Sequence, residues 1–372
     1  MSAMNGSAVA LRLNGRALGC LTALALALTA FVFAPGVAHA QAPATSTYLA
    51  LGDSISFGYS EERFNLHYPV ESPSYFEEGF TNGFAKDLAK GSEVGKTVRL
   101  VNDACPGETS NGLIGENPEL GGETSTESIE EVEGKPAERF PAGGYQGLGD
   151  WHPCKYTYVD HLPLHNGGYI NGGKEVSQLE EAISSIKNTN SPVKAITLNI
   201  GSNDELAGIT QCEDEHGAEG ESAVLLCVKH SSEEVLVPHI LKNIGDIIGV
   251  IDHVGYEGPI VLLGFYNPDT FVLPGSDELQ EGTNAAIEHE LLPELASEGM
   301  TNVTYANPFP VFNKDAGKKA SVEQASICKY TEMCNPNDPG GEKGDGDIHP
   351  SPLGYKELAK LVNEAYLANP AR

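Results

Sequence analysis

Basic side chains are scarce in this sequence: 23 Lys and Arg stand against 52 Asp and Glu, a formal charge of −29 at pH 7. A field of that sign repels phosphate backbones, so nucleic acid is not expected among its partners. Seven cysteines occur, but no C-x-x-C pair, and without that ligand spacing neither a structural zinc nor any other metal is expected. Long apolar runs are missing after residue 40, so no later stretch approaches the roughly 20 residues that a membrane span needs. No internal repeat is present.

The first 40 residues have the three-part layout of an export signal: Arg12 and Arg16, the apolar run Leu18 to Phe33, then Ala38-His39-Ala40. Cleavage is expected after Ala40, leaving Gln41 first and the protein secreted. The run is too short for an anchor, and it follows Cys20 instead of preceding it, which argues against lipid attachment there. Removing this segment takes away two arginines and no acids, leaving 21 basic against 52 acidic side chains; that balance suits solubility outside the cell. The remaining residues, 41–372, are read as one domain. Six cysteines stay behind, an even number that fits three disulfides in an oxidising compartment. Closeness in sequence favours Cys105 with Cys154, Cys212 with Cys227 and Cys328 with Cys334, although about 15 pairings are formally possible.

Short apolar runs bounded by turn residues alternate with helix-period segments, the pattern of a parallel sheet covered by helices. Candidate strands are Tyr48 to Leu51, Val98 to Val101, Ala195 to Ile200, Ile260 to Phe265 and Val303 to Ala306. The clearest helix runs from about Ser232 to Ile251, with Ser231 and Glu234 as a capping box at its start. A second apolar stripe comprises Leu179, Ala182, Ile183 and Ile186, and a third Tyr355, Leu358, Ala359, Val362 and Tyr366. Ser351 is the expected N-cap of the last helix, with Pro352 at its first position, so His349 falls in the loop just ahead. Three segments break the pattern, at about 60–80, 106–176 and 205–230, and are read as loop excursions that shape access to a site at the strand ends.

Four pieces carry chemistry. The first strand ends in Gly52-Asp53-Ser54-Ile55-Ser56-Phe57-Gly58, the second in Asn102-Asp103-Ala104-Cys105-Pro106-Gly107-Glu108-Thr109, and the third in Gly201-Ser202-Asn203-Asp204. Asp345-Gly346-Asp347-Ile348-His349-Pro350 precedes the last helix. Any one of them reads as an ordinary turn or cap. Together, in this order, they make the chain resemble the SGNH, or GDSL-type, hydrolases over about 48–367. The resemblance implies a three-layer α/β/α fold with a flavodoxin-like parallel sheet and an ester hydrolase of the esterase/lipase kind that needs no cofactor. It makes Ser54 the nucleophile and His349 its base, and it surrounds the oxyanion with the N–H groups of Ser54 and Gly107 and the amide of Asn203.

One position departs from the family, where an aspartate commonly stands three residues before the histidine; Gly346 is there instead. Asp345, Asp347 or the backbone carbonyl of Gly346 then orients the ring, with the carbonyl and Asp347 ahead of Asp345, because orientation requires an acceptor and not necessarily a charge. Asp338, Asp345 and Asp347 lack the full spacing of a calcium loop. His67, His152, His161 and His165 fall in the excursions, as do Tyr145, Trp151, Tyr156 and Tyr158, which either wall the cleft or pack the long loop. The expected substrate is a small-molecule or lipid ester and the expected state a monomer. A carbohydrate acetyl esterase, an acyltransferase and, outside enzymology, an extracellular binding protein of the same fold remain alternatives.

Overall fold

Alternate residues of the first strand, β1 (Thr45–Gly52), bury to opposite sides: Leu49 and Leu51 enter one apolar cluster, Tyr48 and Ala50 the other. Both faces of such a strand are covered, which is why its sequence reads as a nearly continuous apolar run. The same alternation places Ile196 and Leu198 of the third strand opposite Ala195, and Ile260 and Leu262 of the fourth opposite Val261 and Leu263. Here β2 is Thr97–Asn102, β3 Val193–Asn199, β4 Ile260–Leu263 and β5 Val303–Ala306. All neighbouring pairs are parallel, in the order β2-β1-β3-β4-β5. That order is the flavodoxin-like one, with the reversal of winding beside β1.

The structure is a computed structural model that describes residues 45–67, 75–91, 97–114, 170–171, 174–175, 177–188, 190–271, 273, 276–337, 341 and 346–372. The expected export signal over 1–40 lies outside them, as do Cys154, Asp338, Asp345, the histidines 152, 161 and 165, and the aromatic residues Tyr145, Trp151, Tyr156 and Tyr158. No helix among the described residues is long and apolar enough to cross a membrane.

Helices cover both faces. In chain order they start with α1 (Ser54–Phe57), α2 (Glu61–His67) and α3 (Phe80–Lys90), followed after β2 by α4 (Ser110–Ile114) and α5 (Gln178–Lys187). Next come α6 (Ser202–His216), α7 (Glu221–Ser231) and α8 (Val237–His253). The rest are α9 (Asp277–Ala286), α10 (Leu292–Ser297), α11 (Phe309–Phe312), α12 (Ala320–Tyr330) and α13 (Pro352–Ala368). One cluster joins the sheet to Leu179 and Ile183 of α5 and to Ile240, Ile244, Ile248 and Ile251 of α8; the other joins it to Phe80 and Phe84 of α3 and to Leu358 and Val362 of α13. Each such side chain contributes about 1.5 to 3 kcal/mol by leaving water.

Two expectations need correction. Residues 205–230 are not a loop excursion: they form most of α6 and α7, a helical hairpin on which Cys212 and Cys227 stand at disulfide distance, with Cα atoms 5.7 Å apart. Nor does a helix begin at Ser231. The chain is helical from Glu221, Ser231 has helical backbone angles and makes no capping bond, and a π turn, Ser232–Leu236, leads into α8. Pro238 explains the turn. Proline has no N–H to donate and its ring crowds the carbonyl four residues back, so the preceding turn widens. A second π turn, Ile287–Leu291, precedes α10, where Pro293 occupies the same place.

Candidate active site

The site grows from the end of β1. Gly52 has a φ of +137°, and a Cβ there would lie 2.0 Å from the carbonyl oxygen of Asn199. Only glycine lets β1 pass so close to β3 before turning. Asp53 then caps α1, its Oδ1 accepting the N–H of Ile55 at 2.9 Å. Ser54, first in the helix, lies buried under the wall of a cavity, and its own N–H has no partner within the helix.

The neighbouring strand ends are tied to the same point. Cys105 N–H donates to the Gly52 carbonyl at 2.9 Å, and the chain turns through Gly107 with a φ of +77°. Gln178 of α5 clamps Gly52 from below: its Oε1 accepts the Gly52 N–H and its Nε2 donates to the Gly52 carbonyl, both at 2.9 Å, and Nε2 also reaches Glu108 Oε2 at 3.1 Å. Asp204 binds Ser110 twice, accepting its N–H at 2.9 Å and its hydroxyl at 2.7 Å. Asn203 Nδ2 donates one hydrogen to the Glu108 carbonyl at 2.9 Å; an Asn amide has two, so this bond orients the second. The donors of Gly107 and Asn203 are thereby held as one unit.

His349 comes from near the C-terminus, just ahead of α13. It lies on β7 (Asp347–Pro350), which pairs antiparallel with β6 (Thr331–Glu332) beside the Cys328–Cys334 pair, whose Cα atoms are 5.0 Å apart. Its Nδ1 meets Asp347 Oδ1 at 2.5 Å, and Asp347 also accepts the backbone N–H groups of His349 and Glu61 at 3.0 and 2.9 Å. The ring partner is therefore Asp347 and not the Gly346 carbonyl; Gly346 N–H donates to Met333 O at 3.0 Å. Tyr59 packs on the imidazole, ring centroids 4.7 Å apart, while Tyr266 donates to the Ile348 carbonyl at 2.8 Å. Nε2 is the nitrogen left to the cavity.

Ser54, Gly107, Asn203, Asp347 and His349 all line that cavity, of about 530 Å³. Among the described residues no hydrogen bond joins the Ser54 hydroxyl to the ring; such bonds are often long before substrate arrives and tighten with it. Beyond the polar residues the walls are apolar, from Phe64 of α2, Leu206 and Ile209 of α6, Val228 of α7, Phe265 and Leu279. Gln178, the Asp204–Ser110 pair and the α6–α7 wall escaped sequence reading, since none has a distinctive local pattern; only the neighbourhood of Asp204 to Asn203 pointed there. His67 ends α2. Cys105 is disulfide-bonded. Among the described residues no group of three or more His, Cys, Asp or Glu is arranged to hold a metal ion.

Burial pushes the His349 ring toward its neutral form, but the charge and hydrogen bond of Asp347 outweigh it, so its pKa lies above the usual histidine value. For Asp347 burial acts upward and the ring and two backbone N–H groups act downward, with a net lowering. Other acids near the site stay protonated far longer than in water. Burial raises Asp53 to about 7, Glu108 to about 8, Asp204 to about 6 and Glu205 to about 7, and beside β2 it raises Asp103 to about 8.

A model of the family described as GDSL-like lipase/acylhydrolase matches residues 48–362. No curated protein matches the sequence. Among solved structures, a lipase from a goat rumen metagenome is similar at 17% identity and a TM-score of 0.41, over 86% of this chain and 97% of its own. An extracellular lipase from Streptomyces rimosus is similar at 14% identity and a TM-score of 0.41, over 86% of this chain and 99% of its own.

Two expectations follow. A base must be neutral to accept a proton, so the acid limb of kcat/KM lies above about pH 6.5. Asp347→Asn moves that limb to lower pH, because the charge that raises the ring pKa is gone, and lowers kcat by about 10³- to 10⁴-fold. A pH–rate profile of both proteins checks it; an unmoved limb refutes the Asp347 assignment. Second, Asp53, Asp103, Glu108, Asp204 and Glu205 hold protons in the fold that an unfolded chain releases near pH 4. Their contribution to stability is complete below about pH 4 and is lost as pH rises through about 6 to 8. Thermal unfolding should show a falling Tm from pH 5 to 8, and a Tm that climbs over that window contradicts these pKa directions.

Proposed function

From membership of the GDSL-like lipase/acylhydrolase family, to which this chain belongs, we propose that the protein is a secreted hydrolase of carboxylic esters with Ser54 as its nucleophile. The observation that carries the reading is the shared cavity: one serine hydroxyl, a carboxylate-held imidazole and a cluster of N–H donors line a space of about 530 Å³ with largely apolar walls.

Ser54 Oγ attacks the ester carbonyl carbon while His349 Nε2 takes its proton. The negative charge that develops on the carbonyl oxygen is met by the N–H groups of Ser54 and Gly107 and the free hydrogen of Asn203 Nδ2. Collapse of this intermediate breaks the bond to the alcohol, which leaves with the proton held by His349, and an acyl group remains on Ser54. Water then attacks the acyl carbon, again giving its proton to His349. The acid is released as the proton returns to Ser54. Throughout, Asp347 keeps Nδ1 protonated and stabilises the imidazolium. The apolar walls from α2, α6 and α7 suit the carbon chain of an acyl group. Export is supported by the export-signal pattern of residues 1–40 and by the cysteine pairs at disulfide distance, since disulfides persist in oxidising compartments.

Purified protein should cleave short p-nitrophenyl esters and label with a fluorophosphonate at a single serine. Ser54→Ala should abolish labelling and lower turnover by on the order of 10³-fold or more while the far-ultraviolet circular dichroism is unchanged. Asn203→Ala should cost about 10²- to 10³-fold in kcat. A folded Ser54→Ala protein with near-normal turnover would end this assignment, and product analysis in the presence of added alcohols separates hydrolysis from acyl transfer.

A further inference from the structure

One helix runs along the cavity. Ser202, Asn203, Glu205, Leu206, Ile209 and Thr210 of α6 all line it, at the spacing that puts side chains on a single helix face. The other face of α6 is fixed against the protein: Ala207 packs with Leu236, and a Cβ on Gly208 would come within 2.4 Å of Leu236 Cδ1. From Asn203, the oxyanion donor of the mechanism above, to Thr210 the helix advances about 10 Å, at about 1.5 Å per residue.

Two separate apolar clusters border this space. Around His349 stand Tyr59, with ring centroids 4.7 Å apart, and Phe64, which packs with Tyr59 in the cluster of Phe57 and Phe76. The imidazole returns its proton to the leaving alcohol, so the alcohol belongs on this side. Along α6, Ile209 instead joins Val228 of α7 and Leu279 of α9 in a cluster built on Cys212 and Cys227, and all three of those apolar residues line the cavity. Polar side chains on this stretch are turned to protein partners. The Thr210 hydroxyl donates to the Leu206 carbonyl at 3.0 Å, Ser276 Oγ accepts Asn267 Nδ2 at 2.7 Å, and Glu205 Oε1 accepts the Thr283 hydroxyl at 2.9 Å. A sugar would need such groups for its own hydroxyls, whereas an alkyl chain gains from the apolar surface between them.

Resting on the ester-hydrolase reading of this site, we propose that the cavity face of α6, with Val228 and Leu279, is the acyl subsite and takes an unbranched chain of about eight carbons. The length follows from about 10 Å of helix face and an advance of about 1.25 Å per bond in an extended chain. Ile209 and Leu279 are its specificity-determining residues, and the alcohol occupies the end beside Tyr59 and Phe64.

Two ester series, each kept below its micelle concentration, test this. The p-nitrophenyl esters from acetate to dodecanoate vary the acyl chain, and the acetates from ethyl to octyl vary the alcohol. In the first series kcat/KM should rise at least about tenfold from acetate to octanoate, because each buried methylene is worth up to about fourfold, and fall again at dodecanoate. Ile209→Trp should lower the octanoate-to-acetate ratio by about tenfold, and Leu279→Ala should move the maximum toward decanoate. Such ratios do not depend on the fraction of protein folded, and should Ile209→Trp not fold at all, Leu279→Ala decides. The octyl-to-ethyl ratio of the second series should respond to Phe64→Trp instead. An acyl profile that is falling or flat within about threefold overturns the proposal and leaves the hydrolase reading standing. So does a profile that answers to Phe64→Trp and to neither α6-side variant. Failure to turn over any ester, the short ones included, overturns both.

Discussion

The parallel pairing of β1 with both β2 and β3 puts three chain reversals at one end of the sheet, and Gly52 is where they meet. Its N–H and carbonyl are both taken by Gln178, its carbonyl also receives Cys105, and the position a side chain would fill is occupied by the Asn199 carbonyl. An alanine there would have to push β3 away and adopt a positive φ that L side chains resist. Ser54 therefore sits where it does because the backbone two residues earlier cannot be anywhere else. The donors from Gly107 and Asn203 inherit that placement through the bonds linking Asp204 to Ser110 and Asn203 to Glu108.

Around this point the interior is unusually rich in carboxyl groups. Asp53 precedes Ser54 and Asp204 follows Asn203; burial raises the proton affinity of both and of Glu108, the charge of Asp204 adds to the effect on Asp53, and those of Asp204 and Asp53 add to it on Glu108. Burial alone would neutralise all of them, and only Asp347, which faces a protonatable ring and two backbone N–H groups, ends below its ordinary range. Acids of the same type thus keep their protons to a higher pH in one place and serve as a fixed negative charge in another. Environment, not residue type, divides the roles.

What could be read in advance followed from local chemistry. Strand positions such as Leu49 and Ile196 announced themselves because burial on both faces leaves an unbroken apolar run, and Ser351 with Pro352 marked the last helix because capping is decided within one turn. Ser54, Gly107, Asn203 and His349 were singled out through the order of four short blocks, which no single block would have supported, and the fold brings all four to one cavity. The hidden parts depended on distance. Gln178 reads as one polar residue beginning a helix, and only the fold carries it to Gly52, 126 positions away. The α6–α7 hairpin was taken for loop because its buried residues are few, Ala207, Gly208 and Cys212 on α6 and Val224 and Val228 on α7, and Gly217 and Gly220 interrupt it. Ser231 misled for a related reason: a good cap residue is silent when the preceding turn is already wound.

That hairpin leaves the scaffold after Asn203 and returns at Leu236, closed on itself by Cys212 and Cys227. It forms part of the cavity wall, while Ser54 and His349 reach the cavity from other elements. The wall and the polar cluster of the cavity are in this sense separate parts of the chain. Such a segment can change its sequence without disturbing the strand ends that hold Ser54 and Gly107, which makes it a natural cassette for exchange.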